Sequence, residues 1–253
     1  MKIGIVTNNE YNSYASKLLS KLRFELKPEC IILTRKPKKF SDQIKNTPLA
    51  KILKSFIKDG KLTDKEKESF KKISLIEICK KDGIEIIEVT SINSSEVVNA
   101  IRQKELDLLL YAGGGILKKD LINSPKIGVL NAHMGFLPAF RGMNVLEWSL
   151  LCNHKIGVTL HFIDTSIDRG DILLFEEIPI EKGDTITSLR EKSVDINVKL
   201  MIDVIKLLLQ QKINRAKQKP EDGKQYFVMH SRLKSIAEKK LTQLASKTPT
   251  LNM

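Results

Sequence analysis

Residues 128–174, GVLNAHMGFLPAFRGMNVLEWSLLCNHKIGVTLHFIDTSIDRGDILL, hold His133, His154, His161 and the single tryptophan, Trp148. Asn131 and His133 stand two residues apart in the short apolar run GVLNAH, so on a strand their side chains share a face. An amide donor beside an imidazole makes a cradle for an oxygen that gains negative charge during a reaction. A nearby carboxylate could keep that imidazole protonated, or receive a proton itself. Asp168, in the IDTSIDRGD loop between two apolar runs, is the candidate. Turn formation and capping are the plainer uses of Asp164 and Asp168. For His161, a hydrogen-bonded core histidine stays an equal reading.

Other chemistries find less support. Gly113-Gly114-Gly115 fits neither the GxxxxGK[ST] nor the GxGxxG phosphate pattern; glycines there would let a flat ligand lie on bare backbone. His133, His154 and His161 lack the short spacing that fixes two metal ligands on one element, so no metal is expected. There is no GxSxG nucleophile motif, and Cys152, within VLEWSLLC, is expected to be a packed thiol.

The elements that must carry these residues alternate. MKIGIVTN, CIILTR, GIEIIEVT, LDLLLYAGG, GVLNAH and DILLFEEIPI read as strands. YASKLLSKLRFE, SSEVVNAIRQKE, KKDLINSP and residues 185–212 read as helices, the last capped by Thr185 or Thr187. This order predicts an α/β fold: a Rossmann-like, doubly wound, mostly parallel sheet flanked by helices. Ligands in such folds bind beyond the carboxyl ends of the strands. Residues 41–81 read as a lysine-rich helical excursion with a capping box at Thr63 and Glu66. A strand or hairpin turning at Pro220–Gly223 and a last helix, HSRLKSIAEKKLTQLA, complete a small helical and hairpin appendage. Domain boundaries are expected at 1–212 for a catalytic domain and 213–253 for the extension.

The chain has 253 residues, enough for a sizeable core, and 29% of them are charged. No apolar run reaches membrane-spanning length, and the amino terminus lacks the features of a signal peptide. Three widely spaced cysteines suggest neither a disulfide framework nor a zinc site, so a reducing cytoplasm is the expected compartment. The net charge of +13 comes mainly from lysines in helical-looking surface segments. A solvated lysine-rich surface is therefore preferred to a nucleic-acid face, with attraction to an anionic small substrate as the sharper reading.

The combined pattern Asn-x-His-x-x-x-Leu-Pro-x-x-Arg-Gly, Gly-Val-Thr-x-His and Asp-x-x-x-Asp-x-Gly-Asp-Ile-Leu resembles the catalytic core of the 10-formyltetrahydrofolate-dependent formyltransferases. The likeness spans residues 107–180. It implies that Asn131, His133 and Asp168 are catalytic. It further implies that Gly114, Gly115, Ile116 and Leu117, with Ile163, Asp164, Thr165 and Ile167, hold the folate pteridine. Thr159 and His161 match residues that shape the loop around the catalytic aspartate. The implied chemistry is attack of a neutral amine on a formyl carbon. Asn131 and a charged His133, held by Asp168, would stabilise the oxyanion, with Asp168 taking the amine proton.

The resemblance also implies that the stretch from Met134 to Trp148 faces the acceptor amine. Met134, Phe136, Arg141, Met143, Asn144 and Trp148 are its candidate contacts. Met134-Gly135 and Ala139-Phe140 depart from the family pattern there. Too few residues follow the long helix for the barrel of a methionyl-tRNA formyltransferase. Thr7-Asn-Asn-Glu10 replaces the phosphate loop expected for glycinamide ribonucleotide. Arg141-Gly-Met-Asn-Val-x-Glu-Trp148 and Gly223-Lys-Gln-Tyr-Phe-Val-Met-His230 resemble stand-alone sugar N-formyltransferases. The expected partner is a small amine on a nucleotide-linked amino sugar, with nucleic acid and membrane disfavoured and room left for a homodimer. Formyltetrahydrofolate hydrolysis and transfer to methionyl-tRNA or another small amine are the competing activities.

Overall fold

The computed structural model describes residues 1–35 and 74–247. Most of the lysine-rich stretch expected to form a helical excursion, including Thr63 and Glu66, lies outside the described residues. So does the carboxyl end beyond Lys247.

Among the described residues, seven strands form the central sheet. β1 (Ile3–Thr7) is flanked by β2 (Cys30–Thr34) and β4 (Leu108–Tyr111). Outside these lie β3 (Glu85–Val89) on one side and β5 (Gly128–His133) on the other; all these pairings are parallel. β7 (Gly157–Phe162) and β8 (Ile172–Glu177) then extend the sheet antiparallel beyond β5. β1 and β2 are apolar runs buried along their length, as befits strands covered on both faces. The expected Rossmann-like, mostly parallel sheet is present. β5 is the strand at which pairing changes from parallel to antiparallel.

Helices cover both faces. α1 (Ser13–Glu25), capped by the Asn12 side chain, and α2 (Leu75–Asp82) pack on one side with the 24-residue α6 (Ile186–Leu209). Their buried leucines and isoleucines form one core with Ile3, Ile5, Leu130 and Leu160. α3 (Ser95–Gln103) and the short α4 (Lys119–Ile122) cover the opposite face around Val6, Ile32, Leu109 and Val129. Thr185 caps α6 through a reciprocal pair with Ser188. Among the described residues no helix is long and apolar enough to cross a membrane.

The carboxyl-terminal segment has the expected turn, a strand and the last helix, but not the hairpin. Pro220–Asp222 forms a 3₁₀ turn, but no hairpin follows it. Instead β9 (Lys224–Tyr226) pairs in parallel with β6 (Phe140–Gly142), more than eighty residues earlier. A strand that runs parallel to its partner cannot be joined to it by a tight turn. Ala216 bridges to Ile172 on β8. The last helix, α7 (Ser231–Lys247), lies against α5 (Val145–Leu151).

Candidate active site

Asn131 and His133 lie near the carboxyl end of β5, and their cross-strand partners on β7 are His161 and Thr159. Directly opposed residues on neighbouring strands share a face, so four polar side chains collect there. Thr159 is fully buried. Its hydroxyl donates to the carbonyl of Gly135 (2.6 Å) and accepts from the amide of Leu137 (3.1 Å). Thr159 therefore pins the loop after β5, rather than the Asp168 loop that the resemblance assigned to it.

The geometry fixes both imidazoles. Nε2 of His133 lies 2.9 Å from the carbonyl oxygen of Phe140, which can only accept, so this nitrogen carries a proton and Nδ1 faces Asp168. Nδ1 is 3.5 Å from Asp168 Oδ2. In His161, Nδ1 lies 2.7 Å from the carbonyl of Phe162 and donates to it, which leaves Nε2 as an acceptor. That lone pair receives Nδ2 of Asn131 at 3.1 Å. Burial is the main cause that pushes the His161 pKa down to about 4, and the positive charge of His133 adds to it. His161 is both readings at once: a buried, hydrogen-bonded histidine and a direct neighbour of the Asn131 amide.

Asp168 reaches these groups from the loop between β7 and β8. Oδ2 accepts the amide of Gly142 at 2.7 Å, and Oδ1 lies 3.8 Å from His161 Nε2. Its backbone is left-handed, with φ of 52°, which costs a non-glycine residue about 1–2 kcal/mol. Two residues on, a Cβ on Gly170 would stand 1.9 Å from the carbonyl oxygen of Phe162, so only glycine lets the loop close. A single loop thus presents a carboxylate to both histidines.

Asn131, His161 and Asp168 form one end of a cavity of about 230 Å³. Its walls are Tyr111, Gly115, Ile116 and Leu117 on one side and the loop from Ile163 to Ile167 on the other. Of the residues expected to hold the donor, Gly114 is the one that does not line it. Gly115 has φ of 94° and open space where a Cβ would stand, so bare backbone faces the cavity. Ile116 and Ile167 flank it as apolar lips, 77% and 42% exposed. Tyr111, which sequence reasoning missed, closes the turn: its hydroxyl donates to the Gly115 carbonyl (2.8 Å) and accepts the Gly115 amide (2.9 Å). The signal for it was a phenol at the end of an otherwise aliphatic strand. Among the described residues no group of three His, Cys, Asp or Glu side chains is placed to hold a metal ion.

The residues expected to face an acceptor are drawn together, but largely by the chain's own tail. Arg141 is 1% exposed, and its guanidinium donates to Gln218 Oε1 and to the carbonyls of Lys219, Pro220 and Gly223. Most of its donors are thus engaged within the protein rather than facing open space. The amide of Met143 donates to the Tyr226 carbonyl, and Asn144 Oδ1 accepts the Met229 amide. Trp148 Nε1 donates to the carbonyl of Phe227, and its ring lies 5.2 Å from that of Tyr226. Phe136 packs edge-on to Phe175 and beside His154, and Met134 packs against the main core. The side chain of Met143, 57% exposed, is free to meet a ligand. Cys152, expected to be packed, is exposed, because it is the first residue past the end of α5.

Chemically, the arrangement offers an amide N–H, an imidazole and a carboxylate at the mouth of an apolar, backbone-lined slot on a Rossmann-like sheet. That is a site suited to group transfer with a developing oxygen charge. The comparisons with known proteins agree: the formyl transferase family pattern matches residues 31–205, and the chain belongs to that family. A methionyl-tRNA formyltransferase of Ruminiclostridium cellulolyticum is 32% identical over 147 residues, 56% of this chain and 47% of the relative. The chain spans about half the length of the curated relatives it matches. Among solved structures, a phosphoribosylglycinamide formyltransferase from Anaplasma phagocytophilum superposes with a TM-score of 0.62. The alignment has 18% identity and covers 89% of this chain and 98% of that one. A sugar N-formyltransferase from Shewanella sp. gives a TM-score of 0.58 and 19% identity, covering 95% and 87% respectively. At these identities the structural likeness is one of fold.

Proposed function

We propose that the protein moves a formyl group from 10-formyltetrahydrofolate to a primary amine, with Asn131, His133 and Asp168 as its catalytic residues. The observation that carries this reading is that Asn131 and Asp168 line the cavity built from the Tyr111–Leu117 turn and the Ile163–Ile167 loop, with Nδ1 of His133 3.5 Å from the Asp168 carboxylate. A slot with exposed apolar lips and bare glycine backbone fits a flat, fused-ring donor. Gly115, Ile116, Leu117, Ile163, Asp164, Thr165 and Ile167 would hold it, with Gly114 shaping the turn from behind. When bound, the donor supplies the formyl group.

The side chains divide the remaining work. One N–H of Asn131 is engaged by His161, which leaves the other to donate to an oxygen that gains charge. His133, presenting Nδ1 toward Asp168, adds positive potential beside it. Asp168 is placed to accept the proton that the attacking amine loses, and would return it to the donor nitrogen as that nitrogen departs.

For the acceptor, a nucleotide-linked amino sugar is the reading we favour. The two stretches that resemble sugar N-formyltransferases pack on one another through Trp148, Asn144, Phe227 and Met229, which supports treating them as one unit. Methionyl-tRNA is the second reading, favoured by the names of relatives above 30% identity and by the net charge of +13. Water as acceptor would make the protein a hydrolase. The test supplies 10-formyltetrahydrofolate with a panel of nucleotide-linked amino sugars, and separately with methionyl-tRNA, while formyl transfer and formate release are followed. Transfer to a sugar nucleotide supports the first reading. Transfer confined to the aminoacyl-tRNA selects the second, and formate release unchanged by any acceptor would make it a hydrolase.

A further inference from the structure

The tail of the chain does more than cover the acceptor side. Gln218 places its side-chain amide between the Asp168 loop and Arg141. Nε2 donates to the carbonyls of Asp168 (3.0 Å) and Gly170 (2.7 Å), while Oε1 accepts from Arg141 Nε (3.2 Å). Both amide hydrogens and the amide oxygen are therefore committed, and only one orientation of the group satisfies all three partners. Arg141 is anchored in turn by the carbonyls of Lys219, Pro220 and Gly223. The next residue along, Gly142, donates its amide to the Asp168 carboxylate. The backbone bridge between Ala216 and Ile172 fixes the tail two residues before Gln218.

The object held in this way is a residue in an unfavourable conformation. Asp168 has φ of 52°, and its carboxylate stands 3.5 Å from His133 Nδ1. Its carboxylate is gripped by the Gly142 amide and its carbonyl by Gln218, so the two grips fix the residue at both ends. We infer that Gln218 is a positioning residue, which sets the place of the Asp168 carboxylate against His133 through the Asp168 and Gly170 carbonyls. It makes residues 216–226 part of the active-site framework. The inference rests on the catalytic role proposed for Asp168.

The test replaces Gln218 with Met, which keeps the length of the side chain and removes its hydrogen bonds, and with Ala. Three quantities are compared with wild type in the full chain: kcat and KM per folded enzyme, amide exchange over residues 164–171, and the NMR titration of His133. Loss of position predicts faster exchange in the loop, an altered His133 titration, and kcat lower by about tenfold to a hundredfold with both KM values little changed. A purely structural role would lower Tm and leave kcat per folded molecule and the His133 titration as in wild type, which overturns the inference. If wild type itself moves no formyl group to any acceptor or to water, the proposed reaction falls. Loop exchange and the His133 titration then still decide whether Gln218 holds Asp168. Unchanged exchange and titration in both variants sink the inference whatever the reaction proves to be.

Discussion

His133 Nδ1 faces Asp168 Oδ2 at 3.5 Å, while the opposite ring nitrogen is tethered to the carbonyl of Phe140. This fixes the ring so that rotation cannot offer a different nitrogen to the carboxylate. His133→Asn removes the imidazole, and Asp168→Asn keeps the shape of the side chain but removes its charge and basicity. Each should lower formyl transfer by about a hundredfold or more, with the circular dichroism spectrum unchanged. Near-normal turnover in either variant would remove that residue from the proposed mechanism.

The amide of Asn131 is oriented by a lone pair on neutral His161. His161→Phe keeps the ring volume and removes that acceptor, leaving the amide free to rotate. The expected result is a kcat reduced by about tenfold or more, because an amide that loses the acceptor fixing it, worth about 1 kcal/mol, turns toward other acceptors. Asn131→Asp should instead place a carboxylate against His161 Nε2 and raise the His161 pKa above about 4, which an NMR titration would detect. An unmoved titration in that variant would mean the two side chains do not touch in solution.

That Asn131, His133 and Asp168 meet was legible in the sequence because their geometry is local. Two residues on one strand face share a side by the period of the strand, and an Asp-rich loop after the next strand brings the third. The sheet was legible for the same reason, since its strands are long apolar runs. What could not be read was the fate of Arg141, Asn144 and Trp148, whose partners lie some eighty residues downstream in the tail. β6 and β9 are three residues each, too short for periodicity to announce, and they pair in parallel, so no turn signal links them. Gln218 sits in a run of exposed basic and polar residues, where nothing in its neighbours marks it.

Tyr111 offers a way to test the proposed donor side without touching Asn131, His133 or Asp168. Its hydroxyl closes the turn by bonding both backbone groups of Gly115. Tyr111→Phe should loosen that turn by about 1 kcal/mol per lost hydrogen bond. KM for the donor is then expected to rise severalfold to about thirtyfold, with KM for the acceptor unaffected. A rise confined to the acceptor would place the donor elsewhere.

Arg141 separates a structural reading from a substrate contact. With its guanidinium buried against Gln218 and three carbonyls, Arg141→Met strands several acceptors at once. The expected loss of stability is about 2–4 kcal/mol, visible as a lower midpoint in denaturant. Because the same change frees Gln218 and the Gly142 strand, kcat should fall as well, while acceptor KM stays close to wild type. A raised acceptor KM with undiminished stability would place Arg141 in the substrate site.

His161 also predicts how stability depends on pH. Its ordinary pKa of 6.5 is pushed down to about 4 in the fold, first by burial and then by the charge of His133. Between these values the unfolded chain binds a proton at His161 that the folded chain refuses. Stability contributed by this residue is therefore present above 6.5 and is lost as pH falls toward 4, with no further loss below. His161→Gln keeps a hydrogen-bonding side chain and removes the titration, so its stability curve should be flatter through that window than that of wild type. Denaturant midpoints measured for both proteins across the window provide the check. Parallel curves would show that His161 is not held neutral, and the orientation it imposes on Asn131 would then lose its basis.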